Sequence, residues 1–355
     1  MIADYCRFYL VTAIKGKLWY NFLIGVIFLA SCRQESFPPP LEFKGWEGNP
    51  VIVPGERGSW DDLYVIMAFV LEYDDTIYLY YTAYNRAGNR ALGLATSTDG
   101  YHFTKYPSNP ILTGDGEGYD AFGVAQAQVL KADTGWVMYF NGREIAGFSS
   151  GPAIGRAMAP SLKGPWIKGK DPVLTTGRKG EWDSDFIYLG PVIKLNDTSY
   201  LLYYSAGEHL FPEGDFSTGI ATSKDGSQWI KYNDPSTRDH PFADSDPVLT
   251  PDHPGEIALI CDVVGNKEGY GMYYNGASRY AYSKYGIHWE KYRGKMPYSL
   301  EEDPHYRKLG KNADLGMQGN KLLFRDSVCL MYYDYGHSRN SAISMAISRP
   351  LTADR

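Results

Sequence analysis

Apolar and polar positions along this chain recur in blocks. Each block opens on a near-continuous apolar run, as in Val65 to Leu71, and continues in a run rich in β-branched and aromatic residues, as in Ile77 to Tyr81. The first pattern is that of a strand covered on both faces, and the second fits a pleated, half-buried surface. Asp74-Asp75, Asp99-Gly100 and Asn196-Asp197 separate such runs, and these residue types tolerate the tight backbone of hairpin loops.

The second run ends in one signature five times: Tyr80-Tyr81-Thr82, Tyr139-Phe140-Asn141, Tyr203-Tyr204-Ser205, Tyr273-Tyr274-Asn275 and Tyr332-Tyr333-Asp334. It returns after 59, 64, 70 and 59 residues. Ala95-Thr96-Ser97, Ala157-Met158-Ala159, Ala221-Thr222-Ser223, Ala281-Tyr282-Ser283 and Ala346-Ile347-Ser348 recur in phase with it. Asn109-Pro110-Ile111-Leu112, Asp171-Pro172-Val173-Leu174 and Asp246-Pro247-Val248-Leu249 close repeats, and Asn49-Pro50-Val51-Ile52 stands before the first. Each block therefore reads as four short strands, and a period of this size marks a repeat architecture. The predicted fold is all-β, a five-bladed β-propeller of four-stranded antiparallel blades.

The repeats override the two domains that 355 residues would otherwise suggest. Before them, Leu18 to Ala30 is apolar, follows Lys15 and Lys17, and runs into Leu29-Ala30-Ser31-Cys32, which resembles a lipoprotein cleavage site. Thirteen residues are too few to span a bilayer, where roughly 20 are needed. The expected organisation is a lipoprotein signal peptide over 1–32, a tether over 33–44 and the propeller over 45–355, with a lipid-anchored place in the bacterial cell envelope. Loss of Asp4, Arg7, Lys15 and Lys17 with the leader takes the formal charge from −6 to −8. A mildly acidic chain without a basic run argues against nucleic acid as a partner. Cys261 and Cys329 lie in apolar runs and read as buried thiols.

In a radial blade, the segment leading into the first strand and the loop after the second open on the same face. Acids crowd those lead-in segments: Trp60-Asp61-Asp62, Tyr119-Asp120, Trp182-Asp183-Ser184-Asp185, Glu256 and Asp314. The loops after the second strands add Asn85 and Arg86, Arg143 and Glu144, Glu208 and His209, Arg279, then Asp334 and His337. Carboxyls gathered in one cleft split their pKa values, one protonated and one ionised, which glycosidic cleavage requires. Trp60 and Trp182 could stack on sugar rings or pack in the core. The Trp-Asp pairs could equally tie turns to neighbouring blades.

These motifs resemble the five-bladed propellers of glycoside hydrolase families 43, 32 and 130 over Asn49 to Ser348. The resemblance implies a glycoside hydrolase acting on a poly- or oligosaccharide, a monomer with carbohydrate as its partner and the membrane reached only through Cys32. It implies no required cofactor, with a structural calcium ion in the central channel as the one metal this architecture could hold. In families 43 and 32, three carboxylates stand at the inner strands of the first three blades; the matching positions here are Met67, Gln126 and Leu189. The catalytic candidates are therefore the nearby acids: Asp61 or Asp62 as base or nucleophile, Asp120 to orient the sugar or tune a pKa, and Asp183, Asp185 or Glu208 as acid. Trp60, Gln126, Arg143, Trp182, His209, Arg279 and His337 are the expected substrate contacts. Two other readings follow: a glycan-binding propeller without catalysis, and a family-130-like phosphorylase that draws its phosphate site from Arg86, Arg143, His209, Arg279 and His337. The short Ser97-x-Asp99-Gly100 and Ser223-x-Asp225-Gly226 segments also resemble the Asp-boxes of sialidases.

Overall fold

The computed structural model describes residues 40–144, 153–207, 216–253, 257–265, 268–275, 278–294, 298–309, 318–335 and 341–349. Five antiparallel sheets follow one another along the chain. Blade 1 consists of Tyr64–Tyr73, Thr76–Tyr84, Arg90–Ser97 and Thr104–Lys105, and blade 2 of Val124–Lys131, Trp136–Gly142, Ala153–Ala159 and Ile167–Lys168. Blade 3 is Phe186–Asn196, Ser199–Gly207, Ser217–Ser223 and Ile230–Lys231, and blade 4 is Ile260–Gly265, Tyr270–Tyr274, Arg279–Ser283 and Glu290–Lys291. Blade 5 supplies three strands, Gln318–Arg325, Val328–Asp334 and Ile343–Ser348. Its fourth comes from the other end of the chain, Phe43–Gly45, paired antiparallel with Ala346–Ser348. Inner strands of successive blades touch all the way round, blade 5 against blade 1 included, so the five-bladed propeller is closed.

The clasp strand Phe43–Gly45 falls partly inside the stretch 33–44 expected to be a tether. A single short strand carries no periodicity of its own, so only its pairing reveals it. The Asn-Pro segment that follows fastens it: Asn49 accepts from the Met345 N–H and donates to the Met345 carbonyl, both at 2.8 Å. Asn109 grips Leu94 of blade 1 in the same way, at 2.9 and 2.8 Å. The repeated Asn-Pro segments thus dock on a finished third strand, with Leu174–Thr175 and Pro247–Leu249 taking that place in blades 2 and 3.

The aromatic pairs explain the ring. The first tyrosine donates its hydroxyl to a turn carbonyl of the next blade: Tyr80 to Leu162, Tyr139 to Gly226, Tyr203 to Gly286 and Tyr332 to Gly100, at 2.6 to 2.9 Å. The residue after the pair accepts a backbone N–H from the next inner strand. Thr82 takes it from Gln126, Asn141 from Leu189, Ser205 from Ile260 and Asp334 from Met67, at 2.6 to 2.9 Å. Buried polar atoms need such partners, so the signatures of blades 1, 2, 3 and 5 are two-point clamps between blades. The inner strands of blades 1 to 4 carry a register shift at or next to the clamped position, and that of blade 5 carries one between Gln318 and Asn320. At Met67 and Gln126 the shift forces positive φ, 57° and 52°, a conformation costly for non-glycine residues. Cys261 and Cys329 are buried thiols, and burial pushes the Cys329 pKa up.

Candidate functional site

The clamps establish that Met67, Gln126 and Leu189 are equivalent positions, each six residues after an aspartate: Asp61, Asp120 and Asp183. Those aspartates are buried, at 2%, 2% and 0% exposure. Each is spoken for within its own blade by the lysine of the outermost strand. Lys105 meets Asp61, Lys168 meets Asp120 and Lys231 meets Asp183, all at 2.5 Å. The aromatic ahead of each lies over a glycine of the third strand. Trp60 sits on Tyr81 and Gly93, Tyr119 on Phe140 and Gly155, and Trp182 on Tyr204 and Gly219. Trp182 is 6% exposed and donates its indole N–H to Ser245. These residues build the blades from inside. The picture of Asp61, Asp120 and Asp183 converging on one opening, with Trp60 and Trp182 as sugar platforms, gives way to three copies of one packing motif.

Blade 5 varies the motif. Its buried acid is Asp303, which accepts from the hydroxyls of Tyr333 and Tyr335 and from the Asn49 side chain. The position that holds lysine in blades 1 to 4 is Gly45 here. Glu256 and Asp314, the acids read in the lead-in segments of blades 4 and 5, lie outside the described residues.

Asp62 lies on the mouth face. Its carboxylate accepts the Gly58 N–H at 2.8 Å and the Arg86 N–H at 2.9 Å, and these bonds hold its pKa below the usual carboxylate range. It is therefore an ionised group and no proton donor at neutral pH. Asp185 is exposed at the head of blade 3, its N–H on the Gly207 carbonyl at 3.3 Å. Arg279 opens the third strand of blade 4 opposite Tyr274, the place that Gly93 and Gly219 hold elsewhere. Glu208, His209 and His337 lie outside the described residues.

What does assemble at the mouth is a row running across blades 1 to 3. Tyr64 pairs with Tyr84, their rings 4.4 Å apart, and Tyr84 pairs with Arg90. Arg90 bridges to Gly123, whose carbonyl accepts the Arg143 N–H. Arg143 is 3% exposed and Arg90 6%, with the Arg90 guanidinium 4.6 Å over the Tyr84 ring. Burial lowers the Arg143 pKa and the Arg90 charge lowers it further, so the two cations feel each other. Burial pushes Tyr84 up to about 12, with the Arg90 charge opposing it, and pushes Tyr64 up as well. Phe122, 49% exposed, donates its N–H to the Arg143 carbonyl. On blade 3, Tyr188 stacks with Phe216 at 5.9 Å, and Phe186 lies 4.8 Å from the same ring.

Of the expected substrate contacts, Arg143 is part of this row. Gln126 stands at the blade 2 bulge with its side-chain carbonyl lacking a hydrogen-bond partner among the described residues. Arg90, Phe122, Tyr64 and Tyr188 are members that the sequence pattern does not single out. A signal for two of the mouth positions lies in the registers: Phe122 and Asp185 each precede by four residues the clamped positions Gln126 and Leu189. Among the described residues, no group of three or more histidine, cysteine or acidic side chains converges as a metal ligand set.

No protein-family profile matches the chain, and no curated protein is similar to it. Solved structures are similar in fold. BT0996, in a complex with RGII, superposes with a TM-score of 0.66 at 18% identity, over 89% of this protein and 94% of that one. A protein from work on the family 130 mannoside phosphorylases, which contain glycoside hydrolases that target β-1,2 mannosidic linkages in Candida mannan, gives 0.61 at 17%, over 89% and 97%. A thermostable family-43 glycoside hydrolase gives 0.55 at 17%, over 84% and 91%. The chain thus has the five-bladed propeller fold seen in solved glycoside hydrolases.

Proposed function

We propose that this chain is a glycoside hydrolase that works at the mouth of blades 1 to 3, with Glu144 and Glu208 as its carboxylate pair. The register of the mouth carries this reading. The Phe122 N–H meets the Arg143 carbonyl and the Asp185 N–H meets the Gly207 carbonyl, so Arg143 and Gly207 are equivalent positions on neighbouring blades. The next residue in sequence is a glutamate both times. Glu144 is exposed, and no lysine of the outermost strand pairs with it among the described residues. Two carboxyls on adjacent blades are the minimum that glycosidic cleavage needs, one to protonate the leaving oxygen and one to act on the sugar or a water. Asp185 and the ionised Asp62 belong to the same face, and the Phe122 ring offers a sugar face an apolar platform. The shared fold of glycoside hydrolases supports the same class.

Turnover of an oligosaccharide panel, with Glu144→Gln and Glu208→Gln compared against Asp61→Asn, tests it. The two glutamate variants should lose activity while still binding glycan. A second reading, binding without cleavage, draws on Met67, Gln126 and Leu189 standing where families 43 and 32 keep carboxylates. Glycan binding with no turnover across the panel would favour that reading. The proposal includes the lipoprotein leader and a cell-envelope location. Incorporation of a labelled fatty acid that Cys32→Ser abolishes would support it.

A further inference from the structure

We infer that the sugar held at the junction of blades 1 and 2 is acidic, its carboxylate received by Arg90 and Arg143. The inference rests on the glycan reading above and adds the substrate's charge.

Elsewhere among the described residues, four buried aspartates meet a lysine, while Asp303 is satisfied by tyrosine hydroxyls and the Asn49 side chain. Asp61, Asp120 and Asp183 each meet a lysine, and Asp262, 1% exposed, meets Lys321 at 2.6 Å. Arg90 breaks this habit. It is only 6% exposed, and its charge is felt by the buried Arg143 across Gly123, lowering that residue's pKa. No described carboxylate pairs with Arg90, and its Nε has no hydrogen-bond partner among the described residues. What faces it is phenol: Tyr84 under the guanidinium and Tyr64 beyond, both kept neutral by burial.

Burying a cation without a counter-charge is costly, and a second cation beside it adds to the cost, unless an anion arrives. The planar fork of a guanidinium matches a carboxylate in two parallel bonds. The tyrosine hydroxyls can donate to the same oxygens, and the exposed Phe122 ring beside Arg143 takes the apolar face of the sugar that bears them. A neutral sugar would leave the charge of Arg90 buried and unmatched.

The probe is an array of uronate-containing oligosaccharides and the same array after chemical reduction of every carboxyl to an alcohol. The wild-type protein should bind or cleave at least one acidic member, and reduction of that member should weaken it roughly 30-fold or more. Arg90→Lys keeps a cation and loses the fork. It should erase most of the discrimination while leaving the melting temperature near wild type, and Arg143→Gln should act in the same direction. Equal handling of the acidic and reduced forms would overturn the inference and leave the glycan reading standing. Handling of neither array would overturn both. Turnover that requires inorganic phosphate and releases a sugar phosphate from neutral glycans would assign the arginines to phosphate and overturn the sugar-carboxylate assignment.

Discussion

The lead-in segments and the mouth use the same kinds of residue to opposite ends. In the lead-in segments of blades 1 to 3, a buried aspartate, an aromatic and a lysine recur with near-identical spacing and close on each other inside one blade. At the mouth, Arg90 comes from blade 1, Arg143 and Phe122 from blade 2, and Tyr188 from blade 3, with no counterpart in the other repeats. The lesson is that repetition in this fold marks scaffold. The aspartate that recurs in blades 1 to 3 is neutralised each time by a lysine, whereas Arg90, which breaks the repeat, meets no carboxylate among the described residues.

Four measurements sharpen or break that contrast. The largest effect belongs to the mouth: Glu208→Gln or Glu144→Gln should lower kcat by about 10²–10⁴ with little change in melting temperature, as loss of a general acid or base does. A variant that unfolds instead would move these residues to the scaffold side. Next, Lys231→Met strands the fully buried Asp183, and chemical denaturation should show a loss of about 3–5 kcal/mol. The folded fraction should keep wild-type turnover; loss of turnover at unchanged stability would return Asp183 to the active centre. Third, Asn141→Ala removes the acceptor for the Leu189 N–H and should cost about 1–3 kcal/mol in the same assay.

The smallest effect concerns pH. The folded-state pKa of Asp62 is depressed below its ordinary 3.8 by backbone N–H groups. Its contribution to stability is therefore complete above that value and lost as pH falls through the folded pKa. Asp62→Asn should flatten the stability profile on the acid side of about pH 4 and leave it unchanged near neutrality. A profile as steep as wild type would place the acid-sensitive group elsewhere.

Blade number and the four-strand make-up of a blade were legible because apolar runs, turn residues and aromatic pairs are local and return five times. Even the equivalence of Met67, Gln126 and Leu189 could be read, and the clamps bear it out. The role of the acids could not. Asp61 finds its partner 44 residues later and Asp120 and Asp183 theirs 48 later. A sequence shows that an aspartate precedes an inner strand and is silent on whether a lysine will reach it. The clasp was hidden for a related reason: Phe43–Gly45 pairs across almost the whole chain.

The sequence by itself determined the period and hence the propeller, because each strand's burial pattern and each turn depend on near neighbours. Only the tertiary structure decided which charges meet a partner inside their own blade. That depends on the outermost strand folding back over its own blade, and on adjacent blades joining Arg90 and Arg143 through the Gly123 backbone. Coulomb and desolvation energies are set by distance in space, and no spacing along the chain encodes that distance.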